Sequence, residues 1–175
     1  TNQGTITAKQ AGLVGLVAPN VENDGVIAAR LGKVQLASGD QMTVDLYGDG
    51  LMELAVSDTV EAQLVKNTGT ISAEGGTIAL TAAAGRQIVD SLVQIEGELT
   101  APTVTEHNGK IIIAGAIIDH TGKIDASGDY GGSIRIDADK VSNQGQIKAE
   151  GTVGNGGKIT INYKSRYIDN TETKV

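Results

Sequence analysis

Apolar and polar residues alternate in short runs along the whole chain, and Gly and Asn separate the runs. In NTGTISAEGGTIALTA (67–82), Ile71, Ile78 and Leu80 each stand between small or polar residues. Alternation with a period of two predicts β-strands, and no stretch keeps the i, i+3, i+4 spacing of a helix over three turns. We therefore expect an all-β protein.

One motif, V-x-N-x-G-x-I-x-A, recurs and can be aligned on its glycine. The aligned glycines are Gly4, Gly25, Gly69, Gly97, Gly122 and Gly145. Two residues later stand Ile6, Ile27, Ile71, Leu99, Ile124 and Ile147, and four residues later Ala8, Ala29, Ala73, Ala101, Ala126 and Ala149. Four residues earlier stand Val21, Val65, Val93, Ile118 and Val141. Two residues earlier stand Asn2, Asn23, Asn67 and Asn143, with Ile95 and His120 as exceptions.

A second motif follows each copy of the first. Its glycines are Gly12, Gly32, Gly76, Gly109, Gly132 and Gly157. At two and four residues after them stand the pairs Val14 and Leu16, Val34 and Leu36, Ile78 and Leu80, Ile111 and Ile113, Ile134 and Ile136, and Ile159 and Ile161. Neighbouring copies of the first motif lie about 20–28 residues apart, except between Gly25 and Gly69. MTVDLYGDGLMELAVSD (42–58) fills that gap, and its alternating Val44, Leu46, Met52, Leu54 and Val56 predict one further, irregular coil.

These motifs predict a single parallel β-helix of about seven coils over residues 1–175, and the family resemblance described below implies that it is right-handed. Equivalent residues would stack about 4.8 Å apart, because that is the spacing between paired strands. We expect Asn side chains to pair along the rod, Ala73 and Ala126 to fill a narrow corner, and Gly to supply turn dihedrals. Residues 162–175 lose the glycine rhythm, so they are expected to cap the last coil or to trail off as a tail.

Composition narrows the classes of protein that fit. The 175 residues carry a net charge of −7 without a basic cluster, which argues against nucleic acid and anionic membranes as partners. There is no Cys, so disulfides and thiolate metal sites are excluded. No signal-like opening and no membrane-length apolar run occur, and we therefore expect a segment of a larger protein.

Two acidic turns were weighed as metal sites. DASGDYGG (125–132) places Asp125, Ser127 and Asp129 in a glycine-rich turn that could bind calcium weakly, but calcium needs six to eight oxygen ligands. DLYGDG (45–50) places two Asp residues near Tyr47. We interpret both as turns with solvated carboxylates.

Ionisable residues in IIDHTGKID (117–125) raise the alternative of a carbohydrate-active β-helix, a polysaccharide lyase or hydrolase. The alternation sends Asp119, Lys123 and Asp125 outward without a second carboxylate cluster nearby, whereas such enzymes need converging carboxylates. His120 lies at the inward Asn position and His107 is isolated, so neither is predicted to be a ligand. We predict no catalytic residue, no cofactor site and no metal site.

Small polar residues suggest one more surface. Thr5, Thr7, Thr68, Thr70 and Ser72 would form outward rows, and regular threonine rows on a solenoid can bind ice. We expect the rows to be interrupted by Glu98, Thr100, Asp125 and Lys148. An ice-binding lattice is therefore not predicted.

Several stretches in this order resemble the filamentous haemagglutinin-like exoproteins of bacterial two-partner secretion. They are LVAPNVENDGVIAARLGKVQLASGD (16–40), GDGLMELAV (48–56), NTGTISAEGGTIALTA (67–82), IDASGDYGGSIRIDA (124–138) and NQGQIKAEG (143–151). The resemblance implies a long β-helical shaft, exported through an outer-membrane partner pore and secreted or displayed at the cell surface. The Asn-Pro motifs of that family's secretion domain are not found here.

From this resemblance we expect a non-enzymatic, structural shaft segment of a bacterial adhesin or exoprotein. It would serve cell attachment, biofilm formation or display of a distal effector, through a surface receptor that the sequence does not identify. The in-register motif at residues 1–8 also predicts head-to-tail self-association, because the edge of the first coil would be unpaired.

Overall fold

A computed structural model describes residues 1–39, 41–44, 52–55, 63–82, 91–105, 107–164 and 170–174. Within these residues every regular element is a β-strand, and no helix is long and apolar enough to cross a membrane. The predicted acidic turn with Asp45, Tyr47 and Asp49 lies outside the described residues, as do Leu46 and Val56.

The strands are short in the first half of the chain and longer in the second. Their bounds are β1 Thr5–Thr7, β2 Leu13–Ala18, β3 Asn20–Asn23, β4 Val26–Ala28, β5 Lys33–Ser38, β6 Gln41–Val44, β7 Met52–Ala55, β8 Gln63–Asn67, β9 Thr70–Ser72, β10 Thr77–Ala82, β11 Ser91–Ile95, β12 Glu98–Thr100, β13 Lys110–His120, β14 Lys123–Asp125, β15 Ser133–Lys148, β16 Lys158–Tyr163 and β17 Asn170–Lys174. All pairings are parallel except that of β6 with β7.

Parallel pairing arranges the strands in three ladders. Ladder 1 runs β1, β4, β9, β12, β14, the C-terminal part of β15, and β17. Ladder 2 runs β2, β5, β10, the first half of β13, the first part of β15, and β16. Ladder 3 runs β3, β8, β11, the second half of β13, and the middle of β15. Because β13 and β15 each pass from one ladder to the next, the ladders join into one curled sheet.

The core lies between the ladders and consists of the inward positions that the motifs predict. Ile71 of ladder 1, Ile78 of ladder 2 and Val65 of ladder 3 are fully buried. The corner alanines Ala73 and Ala126 are fully buried as well, as predicted. Aliphatic residues on consecutive strands are in direct register, as in Ile71↔Leu99 and Ile78↔Ile111, so each repeat covers the apolar face of the next.

The predicted irregular coil between residues 42 and 58 is wrong. β6 and β7 pair antiparallel, with Met42 opposite Leu54, and form a separate two-stranded sheet. β5 pairs directly with β10, and β3 pairs directly with β8, so no extra strand lies between them in ladders 2 and 3. Alternating apolar residues occur in parallel and in antiparallel strands, so the pattern does not distinguish the two. Here β6 and β7, which follow β5, pair with each other outside the ladders.

Five of the six glycines of the first motif, all except Gly4, are required by close approach and not by turn dihedrals, which corrects the sequence interpretation. A β-carbon at Gly69 would lie 2.1 Å from the carbonyl oxygen of Gly25, its counterpart in the preceding repeat. Among the described glycines, positive φ occurs at Gly75 (62°). At the equivalent turn position, one residue before the second-motif glycine, Ala11 and Leu31 also adopt positive φ, of 59° and 54°.

The C-terminal end carries a further parallel strand. β17 pairs with β15, with Asn170 opposite Asn143 and Thr173 opposite Ile147, and the register shifts between the two pairs. Part of the segment predicted to be a cap or tail therefore adds a strand to ladder 1.

Candidate functional site

A row of asparagine side chains runs inside ladder 3, as predicted. The amide of Asn2 donates to Asn23 Oδ1 over 2.7 Å, and the amide of Asn23 donates to Asn67 Oδ1 over 2.7 Å. The amide of Asn67 then donates to the carbonyl oxygen of Gly69 over 3.0 Å, because Ile95 follows in the row. These bonds satisfy polar groups that are buried beside the turns.

His120 occupies the same row in a later repeat and is 1% exposed. Its Nδ1 lies 2.6 Å from Asn143 Oδ1. Burial lowers the pKa of His120, although the hydrogen bond to Asn143 opposes this shift. The inward orientation predicted from the sequence is confirmed, and the buried imidazole does not reach solvent.

The ionisable residues of 117–125 do not converge on a catalytic arrangement. Lys123 Nζ lies 2.9 Å from Glu98 Oε1 and 3.3 Å from Asp125 Oδ2, while His120 points into the core. The hydrogen bond to Glu98 raises the pKa of Lys123, and the same bond lowers the pKa of Glu98. Burial raises the pKa of Asp125, but hydrogen bonds from Ser127 and Lys123 outweigh it and hold the pKa below its usual value.

The sequence analysis places Glu98 on this outer face but misses its ion pair with Lys123, because Glu98 belongs to the preceding repeat. The register Glu98↔Lys123 and Thr100↔Asp125 brings these side chains together on the outer face of ladder 1. The signal that could have found the pair is the motif alignment itself, since both residues immediately follow an aligned glycine.

The turn at 125–132 is organised by its own backbone. Asp125 Oδ1 accepts a hydrogen bond from the Ser127 amide over 2.9 Å, and Ser127 Oγ accepts one from the Glu150 amide over 2.9 Å. No ion pair or hydrogen bond links Asp129 to Asp125 among the described contacts, and within the described residues no group of three or more His, Cys, Asp or Glu could hold a metal ion. His107 is exposed and exchanges two backbone hydrogen bonds with Val104.

The small polar residues do not form continuous rows. On the outer face of ladder 1 the register gives one column of Thr5, Val26, Thr70, Glu98, Lys123 and Gln146. The parallel column reads Thr7, Ala28, Ser72, Thr100, Asp125 and Lys148. Thr68 lies outside both and donates to Asp24 Oδ1 over 2.6 Å.

An open groove follows the corner between ladders 2 and 3, where β13 bends at Gly115. Five of its lining residues are small: Ala82, Ala114, Gly115, Ala116 and Ala138. A β-carbon at Gly115 would come within 3.0 Å of Val93 Cγ2, so the bend depends on close packing there. The sequence analysis did not identify this surface, because it arises from strands of several repeats.

Polar side chains line one side of the groove, and they are tied to one another. Asp137 accepts from Asn162 over 2.6 Å and pairs with Arg135, which lowers the pKa of Asp137. Asp139 Oδ1 lies 2.7 Å from Lys164 Nζ. The groove therefore combines an apolar floor with a neutralised polar edge.

Comparison with known proteins identifies two similar proteins. Two relatives from Haemophilus influenzae, both named heme/hemopexin-binding protein, are each 32% identical to this chain. One alignment covers 143 residues, or 78% of the chain, and the other, to the protein of strain Rd, covers 127 residues, or 72%. Each covers 14% of the relative, so the chain spans a small part of the length of these proteins. No family model matches the chain, and no solved structure matches it.

These relatives overturn the function expected from the sequence. The prediction of an adhesin shaft for attachment, biofilm formation or effector display is wrong, and so is the alternative of a carbohydrate-active β-helix. Both relatives are named for binding heme or hemopexin. The description as a two-partner-secretion adhesin is corrected by the same finding, because these names refer to binding heme or hemopexin and not to adhesion. The resemblance of the repeats to filamentous haemagglutinin-like exoproteins stays a prediction.

Proposed function

We propose that this chain is a segment of a heme- or hemopexin-binding protein and that it contributes a surface for a protein partner. The observation that carries the proposal is 32% identity over 143 residues to a heme/hemopexin-binding protein. That alignment covers 78% of the chain.

The architecture we propose is a single right-handed parallel β-helix of about seven coils. Ladder 1 holds seven described strand segments, the seventh being β17 and not the β6–β7 hairpin. Crossovers between parallel strands are almost always right-handed, which supports the hand. The likeness of the repeats to filamentous haemagglutinin-like proteins stays a prediction about this pattern.

A protein surface fits the geometry better than a heme pocket. A heme iron needs an accessible axial ligand, and His120 is 1% exposed with Nδ1 bonded to Asn143. His107 is exposed, but it does not line the groove. Sites for small ligands bury most of the ligand surface, whereas the groove at Gly115 is open. An open groove with an apolar floor and a polar edge resembles the surfaces that proteins use to bind each other.

Catalysis is not part of the proposal. Lys123 neutralises Glu98 and Asp125 on an outward face, and this arrangement leaves no unpaired acid and base side by side. We further propose that the parent protein acts outside the cell or at its outer surface, reached through an outer-membrane pore.

Binding assays with the purified chain test the proposal. We expect the chain to bind hemopexin in a surface-based assay, with or without heme loaded, and not to give the sharp absorbance change of ligated hemin in a direct titration. Binding of neither hemopexin nor hemin would show that the segment does not contribute to the activity. Ligation of hemin without binding of hemopexin would show that the contribution is a heme site and not a protein surface.

Two matched substitutions locate the surface. Ala114→Arg places a long charged side chain in the groove, and Thr70→Arg places the same side chain on ladder 1; both positions are half-buried and outward. We expect the first to weaken hemopexin binding at least tenfold and the second to leave it unchanged. Equal effects, with both variants folded by circular dichroism, would show that the groove is not the contact surface.

A further inference from the structure

His120 occupies an asparagine position in the row of ladder 3. In the preceding repeat Ile95 occupies that position, so the row is already interrupted there. The in-register neighbours of His120 are Ile95 on β11 and Asn143 on β15. Hydrogen bonding therefore continues on one side of the imidazole only, and an aliphatic side chain lies on the other.

The hydrogen bonds around the ring assign its tautomer. The Gly145 amide donates to Asn143 Oδ1 over 3.3 Å, which identifies that atom as an acceptor. His120 Nδ1, at 2.6 Å from the same oxygen, therefore carries the proton and donates it. Nε2 is then the unprotonated ring nitrogen, and it has no hydrogen-bond partner although it is buried.

The space around Nε2 is closed. A β-carbon at Gly145 would lie 2.7 Å from His120 Cε1 and 2.8 Å from Nε2, so the backbone of β15 packs directly against this edge of the ring. Asn143 Nδ2 is also buried without a partner. A proton added at Nε2 would be buried against the backbone of β15 at Gly145. A hydrogen bond to the Gly122 backbone favours the charged ring, but burial has the larger effect and lowers the pKa of His120.

The charged groups near the ring do not compensate for such a proton. Asp119, on the same strand, favours the charged form of His120, but burial has the larger effect and lowers its pKa. β11 carries no ionisable side chain. On β15 the ionisable side chains nearest to Asn143 in sequence are Lys140 and Asp139, and Asp139 is paired with Lys164.

We propose that His120 makes ladder 3 sensitive to acid, so that its protonation in mildly acidic solution opens the pairing of β13 with β11 and β15. The bond from Nδ1 to Asn143 survives protonation, whereas the added positive charge is buried in a ring that is 1% exposed and packed against Gly145. The charged ring reaches solvent only by leaving the row. The space between Ile95 and Asn143 is then no longer filled by a side chain.

The direction of the pH effect follows from proton linkage. Because the pKa of His120 is lower in the folded chain, the open state binds the proton more tightly. The contribution of His120 to the free energy of unfolding is fully present above the ordinary histidine pKa of about 6.5. It declines as the pH falls below that value. Each pH unit below about 6.5 raises the opening equilibrium constant by up to about tenfold, until the folded pKa is reached.

Hydrogen exchange at pH 7.5 and pH 5.5, corrected for the intrinsic dependence of exchange on pH, tests the proposal. Amides of β11, β13 and β15 near His120 are expected to lose up to about tenfold in protection at pH 5.5, while β4 and β9 do not. His120→Asn, which restores the residue type of the row, should remove this difference. His107→Asn, at the exposed histidine, should retain it and serves as the matched control.

An NMR titration of the ring protons in the unaltered chain gives a second measurement that does not depend on a variant that folds. We expect the His120 resonance to remain that of a neutral ring at pH 6, where His107 provides the comparison. A His120 that titrates near 6.5 or above without loss of protection would overturn the proposal. Equal loss of protection in the parent and in a folded His120→Asn variant would overturn it as well.

Discussion

Asn23 and Asn67 are 44 positions apart in the sequence, and the amide of the first donates to Oδ1 of the second over 2.7 Å in the interior. Both side chains are fully buried. The pair joins β3 to β8 across the segment that contains the hairpin, so ladder 3 continues without a gap although the chain between them is long.

Replacing Asn67 tests this bond. Asn67→Ala removes the acceptor of Asn23 and leaves a buried amide with a weaker partner, the Gly25 carbonyl oxygen at 3.3 Å. We expect a loss of about 1–3 kcal/mol in the free energy of unfolding, measured by urea denaturation. Gln144→Ala, at an exposed position of β15, should change the free energy by less than about 0.5 kcal/mol. Equal values for the two variants would contradict a structural role for the row.

The buried alanines limit the size of the corner. Ala73→Leu and Ala126→Leu should each lower the free energy of unfolding by about 1–3 kcal/mol, because the added atoms have no space. Ile78→Ala should cost about 2–5 kcal/mol by leaving a cavity in ladder 2. Denaturation curves of all three variants are the measurement. Leucine variants as stable as the parent would show that the corner has room.

The hairpin is predicted to be dispensable for the ladders. Ser38 lies opposite Ala18 and Leu64 lies opposite Asn20, so joining Ser38 directly to Gln63 reproduces the spacing that Pro19 provides in the preceding repeat. We expect the shortened chain to keep its β-type circular dichroism and a cooperative thermal transition. Gln35 and Ala37 are buried on the outer face of β5 in the parent chain. We expect the melting temperature to fall, because the deletion would change the surroundings of these two side chains. Loss of cooperativity would contradict this prediction.

The ion pair on ladder 1 should contribute little and should depend on pH. Lys123 and Glu98 are 42% and 40% exposed, so solvent screening limits the effect of Glu98→Gln at pH 7 to less than about 1 kcal/mol. The pKa of Glu98 is lowered in the folded chain, so its contribution is present above the unfolded value of about 4.3 and is lost as the pH falls through the folded pKa. Parent and variant should therefore become equally stable in strong acid, by thermal denaturation at pH 7 and pH 2.5. A difference that grows in acid would contradict the assignment.

The N-terminal face should promote self-association. Within the described pairings, β1 and β2 each bond to a strand on one side only, whereas β3 bonds to β8 on one side and to the single residue Asn2 on the other. Unpaired parallel edges accept further strands. Because the net charge is −7, added salt should increase the association by screening repulsion. Light scattering over a range of protein concentrations at two salt levels measures it. Leu13→Lys, on the exposed edge of β2, should reduce the association, whereas Thr70→Lys in the middle of ladder 1 should not; a strict monomer in the parent would refute the prediction.

The sequence by itself determined the strands, their inward residues and the stacked rows, because these depend on local alternation and on motifs that repeat at regular intervals. Val65, Ile71 and Ile78 could be assigned to the core without coordinates, since each is the counterpart of an apolar residue in every other repeat. The inward position of His120 follows from the same alignment.

Only the tertiary structure decided how separate repeats meet. Alternation in β6 and β7 is equally compatible with parallel and antiparallel pairing, so the hairpin could not be distinguished from a coil. The contact of Glu98 with Lys123, the groove at Gly115 and the unpartnered Nε2 of His120 each depend on side chains from different strands. Hydrophobic periodicity specifies which face of a strand is buried, but the neighbours across that face are fixed by register, and register is a property of the folded chain.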